Sequence, residues 1–187
     1  MRYEIKQEIY GYQFSFITDD KCFSPKAIDK GTYFMLTRYI PEKGQKVHDL
    51  GCGYGVVGIA CAKITGEENV FMSDIKHLQL ASENAVLNGV PQINIVKSDG
   101  YKSFPETNFD TILCNPPYHS DFSVPKHFIE KGFNRLNIGG RMFFVVKRLE
   151  WYKRKFISIF GGVKVFREAD GYFVLAAEKK MNNYKLK

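Results

Sequence analysis

The chain has little cysteine, one tryptophan and no long apolar run, and each shortage removes a class of protein. Its four cysteines, Cys22, Cys52, Cys61 and Cys114, form no Cys-x-x-Cys pair and have no partnering histidine spacing. Neither a metal site nor a disulfide framework is therefore expected, and the chain reads as one suited to a reducing cytoplasm. Apolar runs stop after a handful of residues, as at Met142-Phe143-Phe144-Val145-Val146, whereas a membrane-spanning helix needs about 20. The opening residues, Met1-Arg2-Tyr3-Glu4-Ile5-Lys6, alternate in polarity without an apolar core and small-residue cleavage site, so no signal peptide is expected. Internal repeats, linkers and low-complexity segments are also missing. What remains is a globular composition, 187 residues with 44% hydrophobic and 25% charged, of a size that makes one domain.

Positive charge is unevenly placed. Residues 1–120 hold 12 Lys+Arg against 14 Asp+Glu, a net of −2, while residues 121–187 hold 15 against 6, a net of +9. A basic half is either a solvated surface or a face for a polyanion, because Lys and Arg that neutralise phosphates release counterions. Charge alone does not choose between them.

Hydropathy patterning organises the chain. Tyr3, Ile5 and Ile9 alternate with polar residues, Gly11 breaks the run, and Tyr12, Phe14 and Phe16 resume it, which predicts an N-terminal hairpin over residues 1–22. Ser24-Pro25 and a short helix over Gly31–Ile40, ending before Pro41, lead into the core at 23–180. Strands are expected at Val47–Leu50, Val70–Ser73, Ile93–Val96, Phe109–Cys114 and Arg141–Lys147. Helices are expected between them, at Val56–Ile64, His77–Asn88 and Glu150–Phe160 among others. This alternation predicts an α/β doubly wound, mostly parallel sheet. The last two strands, Val163–Arg167 and Tyr172–Ala177, are joined by only Glu168-Ala169-Asp170-Gly171, too short for a crossover, so they must pair antiparallel.

Gly51-Cys52-Gly53-Tyr54-Gly55 follows the first core strand and opens a helix, and Asp74, with Ile75 after it, ends the next strand. Glycines there allow a tight turn and close approach to a ligand, and an acid at that strand end suits ribose hydroxyls. Gly53, Gly55 and Gly58 satisfy the dinucleotide pattern G-x-G-x-x-G. Asp49, expected at the mouth of the loop, argues against a pyrophosphate and for a cationic ligand. S-adenosylmethionine is such a ligand, with a sulfonium and an ammonium and no phosphate. The run Asp49–Gly55 with Asp74 resembles the class I S-adenosylmethionine-dependent methyltransferases, and the resemblance implies a seven-stranded Rossmann-like methyltransferase sheet. It also implies that Asp99-Gly100, after the third strand, hydrogen-bonds the adenine amino group; by its own chemistry Asp-Gly is equally a turn former.

Asn115-Pro116-Pro117-Tyr118 follows strand Phe109–Cys114, at the ligand-binding edge of an open parallel sheet. An exocyclic amino group is a poor nucleophile because its lone pair is delocalised into the ring. Two acceptors aimed at its hydrogens, the Asn115 oxygen and the Pro116 carbonyl, would localise that lone pair and stabilise developing charge. The prolines stiffen the loop, and Tyr118 offers a stacking face. No ionisable base is needed, since the alkylated amine loses its proton to solvent.

Asn-Pro-Pro-Tyr resembles the signature of amino-group methyltransferases acting on adenine N6, guanine N2 or glutamine nitrogen. With His119, the segment Cys22-Phe23-Ser24-Pro25 with Asp29, Lys30 and Gly31, Gly139-Gly140-Arg141, and Phe160-Gly161-Gly162-Val163 with Gly171-Tyr172, it is similar to the RsmC-like ribosomal RNA small-subunit guanine-N2 methyltransferases over most of residues 20–180. Long members of that family carry a second, degenerate domain ahead of the catalytic one. Here 46 residues precede Val47, so the chain resembles the catalytic half. The resemblance implies guanine N2 of small-subunit ribosomal RNA as substrate, with His119 near the target nucleotide. Lys147, Arg148, Lys153, Arg154 and Lys155 are candidate RNA phosphate contacts, and Trp151 and Phe156 are expected in the core. A tRNA adenine-N6 or protein glutamine substrate, and a non-catalytic binding module, remain alternatives at this stage. The sequence leaves the oligomeric state open.

Overall fold

A computed structural model describes residues 1–117, 121–168 and 170–183. Its N-terminal strands β1 (Arg2–Ile9) and β2 (Tyr12–Asp19) form the expected hairpin, turning through Tyr10 and Gly11, both at positive φ. Two left-handed residues in a two-residue turn match the twist of the flanking strands. The helix that follows, α1 (Lys30–Arg38), is shorter than the sequence suggested. Tyr39 is already extended, and Ile40 precedes Pro41, whose ring disfavours helical geometry in the residue before it.

The core then alternates as the hydropathy requires: β3 (Val47–Leu50), α2 (Val56–Thr65), β4 (Val70–Asp74), α3 (Leu78–Leu87), β5 (Asn94–Lys97), β6 (Phe109–Cys114), α4 (Ser123–Arg135), β7 (Leu136–Val146), α5 (Leu149–Phe160), β8 (Lys164–Arg167) and β9 (Phe173–Glu178). The seven core strands lie in the order β5-β4-β3-β6-β7-β9-β8. The first five are parallel; β9 runs antiparallel to both β7 and β8. This is a doubly wound, mostly parallel α/β sheet with an antiparallel end and an added N-terminal hairpin.

One strand differs from expectation. β7 begins at Leu136, not Arg141, because Gly139-Gly140 makes a register shift within the strand instead of ending the preceding turn. Gly139 sits at φ +83° and its N–H donates to Lys179 O (2.7 Å), so the irregular segment is still paired.

Two apolar clusters cover the sheet. One joins α1, α2, α3 and the hairpin to β3 and β4; the other joins α4, α5 and the 101–109 segment to β6 and β7. His48 belongs to the second face, stacked on Phe104 at 4.3 Å, and burial pushes its pKa down to about 3, so it is a neutral core residue. The hairpin is fastened by two asparagines of the α3 region. Asn84 exchanges hydrogen bonds with the backbone of Ile17 (2.7 and 2.9 Å), and Asn88 with that of Ser15 (3.1 and 2.8 Å). No helix among the described residues is long and apolar enough to cross a membrane.

Candidate active site

The carboxyl ends of β3, β4, β5 and β6 open onto one cavity of about 520 Å³, within the range of small-molecule sites, roughly 300–1,000 Å³. It is lined by the glycine loop, Asp49, Asp74, Ile75, Asp99, Gly100 and Asn115–Pro117, so separate sequence motifs converge on one space.

The glycine loop is held by backbone donors. Gly51 and Cys52 N–H groups donate to Ser73 O (2.8 and 3.0 Å), and Gly53 N–H donates to Asp74 Oδ2 (2.8 Å). Gly51 and Gly53 lie at φ +75° and +54°, and no atom lies within 4 Å of a Cβ built at either. A side chain there would be strained and would occupy cavity space that a ligand needs. Asp74 Oδ1 accepts from Ile75 N–H (2.6 Å) and Lys76 N–H (3.0 Å).

Asp49 stands just before the glycine loop and lines the cavity from a buried position. It is buried in β3, and its Oδ2 accepts from Gly58 N–H (2.8 Å) in the first turn of α2. Burial pushes its pKa up to about 7, with Asp74 adding to the rise and the Gly58 hydrogen bond opposing it. Gly58 itself allows α2 to approach β4, since a Cβ there would fall 2.4 Å from Met72. Asp99 is exposed at the rim, where its carboxylate pairs with Lys102 and its backbone carbonyl accepts from Lys102 N–H (3.2 Å).

Asn115 directly follows β6 and is half-buried; Pro116 after it is buried and Pro117 exposed. Its side-chain Nδ2 donates to Asp29 Oδ2 (2.9 Å) and Thr32 Oγ1 (2.8 Å). Asp29 is the N-cap of α1, accepting also from Thr32 N–H (2.9 Å), and its Oδ1 accepts from Tyr172 O–H (3.1 Å). Gly31 makes this meeting possible, because a Cβ there would lie 2.6 Å from the Tyr172 ring. Sequence reasoning gave Asp29, Thr32 and Tyr172 no role. Asp29 before a helix is readable as a cap, but its contact with Asn115 spans 86 residues and carries no local signal. The Tyr118 and His119 roles fall outside the described residues.

The basic residues separate into different environments, and none of the five lines the cavity. Lys147 Nζ stands 4.5 Å from the Tyr172 ring centroid, Arg148 is exposed just before α5, and Lys153 and Arg154 are exposed on α5. Lys155 is half-buried and pairs with Glu130 of α4, tying two helices together. Phe156 is buried as expected, while Trp151 is half-buried and stacks on Phe122 at 4.4 Å. Asp19, Cys22 and His77 also meet at the cavity rim, a cluster that their spacing in sequence hid. There Asp19 Oδ1 accepts from Lys21 N–H (2.9 Å) and the Cys22 thiol (3.5 Å).

Four carboxylates, Asp29, Asp49, Asp74 and Asp99, line the cavity against Lys21 and Lys76. That donor set fits a cationic nucleoside and opposes a polyphosphate. The methyltransferase small domain model matches residues 13–176. The chain belongs to the methyltransferase small domain family. The cavity has the residues to hold S-adenosylmethionine, with carboxylates for a cationic ligand and a glycine loop for close approach. The uncharacterized protein YbxB of Bacillus subtilis is 28% identical, with 89% of this chain and 86% of that protein covered. Ribosomal RNA large subunit methyltransferase G of Pseudoalteromonas translucida is also 28% identical, over 95% of this chain and 49% of its own length. Among solved structures, the Thermus thermophilus 16S rRNA N2 methyltransferase RsmC, in complex with AdoMet and guanosine, superposes with a TM-score of 0.84 at 25% identity, covering 96% of this chain and 51% of that one. The chain thus spans about half the length of the ribosomal RNA methyltransferases it matches.

Proposed function

We propose that the protein methylates an exocyclic amino group of a ribosomal RNA base, with guanine N2 as the acceptor. The observation that carries this reading is the placement of Asn115 and Pro116 in the same cavity as the glycine loop and Asp74. The likeness to a 16S rRNA N2 methyltransferase solved with guanosine supports guanine as the base, and exposed Lys153 and Arg154 on the basic half support RNA as the polymer.

When bound, S-adenosylmethionine supplies an electrophilic methyl group on a sulfonium. Asp74 would accept hydrogen bonds from its ribose hydroxyls, the Gly51–Gly55 turn would let the backbone approach it closely, and Asp49 would supply negative charge toward its cationic groups. Asp99, Gly100 and Ile75 would hold its adenine. At the other end of the cavity, the Asn115 side-chain oxygen and the Pro116 carbonyl accept from the substrate amine. This concentrates its lone pair and stabilises positive charge as the nitrogen is alkylated. The nitrogen gains the methyl carbon and loses one proton to solvent, so no ionisable base is required.

The test is tritiated-methyl transfer from S-adenosylmethionine to ribosomal RNA and to isolated subunits of both sizes, followed by mass spectrometry of the nucleosides. N2-methylguanosine from small-subunit RNA is the expected product. A methylated nucleoside from the large subunit alone moves the substrate, and methylated protein without methylated RNA overturns the reading.

A further inference from the structure

We propose that Asp29 is a positioning residue that sets the orientation of the Asn115 amide and so decides which of its atoms faces the substrate. The proposal rests on Asn115 being the acceptor for the substrate amine.

An asparagine amide has two nearly identical faces, one donating and one accepting, and half a turn about its last bond exchanges them. For the proposed chemistry the exchange is fatal, because a donor in place of the oxygen would repel the amine hydrogens. A carboxylate removes the ambiguity, since an ionised Asp only accepts. Asp29 Oδ2 stands 2.9 Å from Asn115 Nδ2; a flipped amide would set oxygen against oxygen at that distance. Thr32 Oγ1, at 2.8 Å, takes the second Nδ2 hydrogen. Nδ2 therefore faces α1, and Oδ1 is directed away from it.

Asp29 is itself immobilised from two other directions. Its Oδ2 caps α1 through Thr32 N–H, and its Oδ1 accepts from Tyr172 O–H, at the start of the last strand. At 9% exposure it exchanges little with water. A capping role alone would not need the reach to Asn115 or the brace from Tyr172. The positioning role needs both.

The substitutions Asp29→Ser and Asp29→Asn separate the two roles, because Ser and Asn are both good caps. Asn still offers an acceptor at the Oδ2 position, whereas Ser is too short to reach Asn115. Three readouts apply: kcat for methyl transfer, cofactor affinity by calorimetry, and hydrogen exchange of the Asn115 side-chain amide by 15N spectroscopy. In the unaltered protein the two amide hydrogens should be protected; an unprotected pair overturns the proposal without any variant. Asp29→Ser should lower kcat about ten- to a hundredfold, less than complete loss of a preorganised polar group. It should also expose the amide while leaving cofactor affinity within about threefold, and Asp29→Asn should keep most of both turnover and protection. In an Asn115→Ala background, Asp29→Ser should add nothing.

Equal kcat and equal protection in the Ser and Asn variants overturn the proposal, as do losses that multiply in the double variant. Retained turnover in Asn115→Ala alone overturns the reading of the reactive corner, and the proposal with it. That result is distinguishable from loss in Asn115→Ala with no effect of Asp29→Ser, which overturns the positioning role only.

Discussion

The two ends of the cavity are built from different materials. At the glycine-loop end, nearly every contact is a backbone N–H on a carboxylate or carbonyl: Gly53 on Asp74, Gly58 on Asp49, Gly51 and Cys52 on Ser73. At the Asn115 end most contacts run between side chains: Asn115 donates to Asp29 and Thr32, and Tyr172 donates to Asp29. A backbone-built end tolerates most side-chain changes and depends on a few glycines and acids. A side-chain-built end holds one functional atom in one orientation, and single substitutions can disable it. The first suits a cofactor that does not vary, the second a substrate that distinguishes one enzyme from another.

Substitutions at the two ends should therefore fail in different ways. Asn115→Ala should cost the most, about 10²–10³ in turnover, because its interaction strengthens only as charge develops. Cofactor affinity by calorimetry should stay nearly unchanged. Asp74→Ala should show the reverse, a loss of about ten- to a hundredfold in cofactor affinity, since hydrogen bonds to a charged acceptor are worth about 1.5–3 kcal/mol. The variant should remain folded by circular dichroism, although Gly53, Ile75 and Lys76 lose an acceptor.

Acidity should weaken the same end by a milder amount. Burial lifts Asp49 to a pKa of about 7, so the neutral form is favoured below that pH and must lose its proton to oppose a cation. Cofactor affinity should fall about tenfold from pH 8 to pH 6, as the ionised fraction shrinks. Calorimetry in buffers of different ionisation enthalpy should register proton release on binding. Affinity that does not change with pH, without proton release, would remove Asp49 from the site's electrostatics.

The smallest effects should lie outside the cavity. Lys153→Glu with Arg154→Glu should weaken RNA binding several-fold and reduce its salt slope by about 1.4–1.8 if two phosphates are lost. Lys155→Glu should instead lower the melting temperature, because it sets like charges together at the half-buried pair with Glu130. Equal RNA defects in both would return Lys155 to the nucleic-acid face.

What could be read from the chain follows the same division. The parallel order, the antiparallel ending, the glycine loop and Asp74 were legible because each depends on residues close in sequence. The burial of Asp49 was not legible, since strand alternation says little about a short strand buried on both faces, as Val47–Leu50 is. The early start of β7 was not legible, because Gly139-Gly140 interrupts the apolar pattern between Leu136 and Arg141. The brace on Asn115 was illegible in principle: Asp29 and Tyr172 meet across 143 residues, and only the folded sheet brings them together.

Asn84 and Asn88, which fasten the hairpin to α3, also pose a question of commensurability. Four residues along a helix advance about 6.0 Å and two residues along a strand about 6.7 Å, so two different lattices coincide within an ångström over this interval. Two side-chain amides thereby counterfeit the edge of a neighbouring strand, donating to and accepting from Ser15 and Ile17 as a peptide backbone would. The outer edge of β2 is closed to templating by another chain. A one-residue slip of either element would break all four bonds at once, so the pair works as a vernier that admits a single alignment.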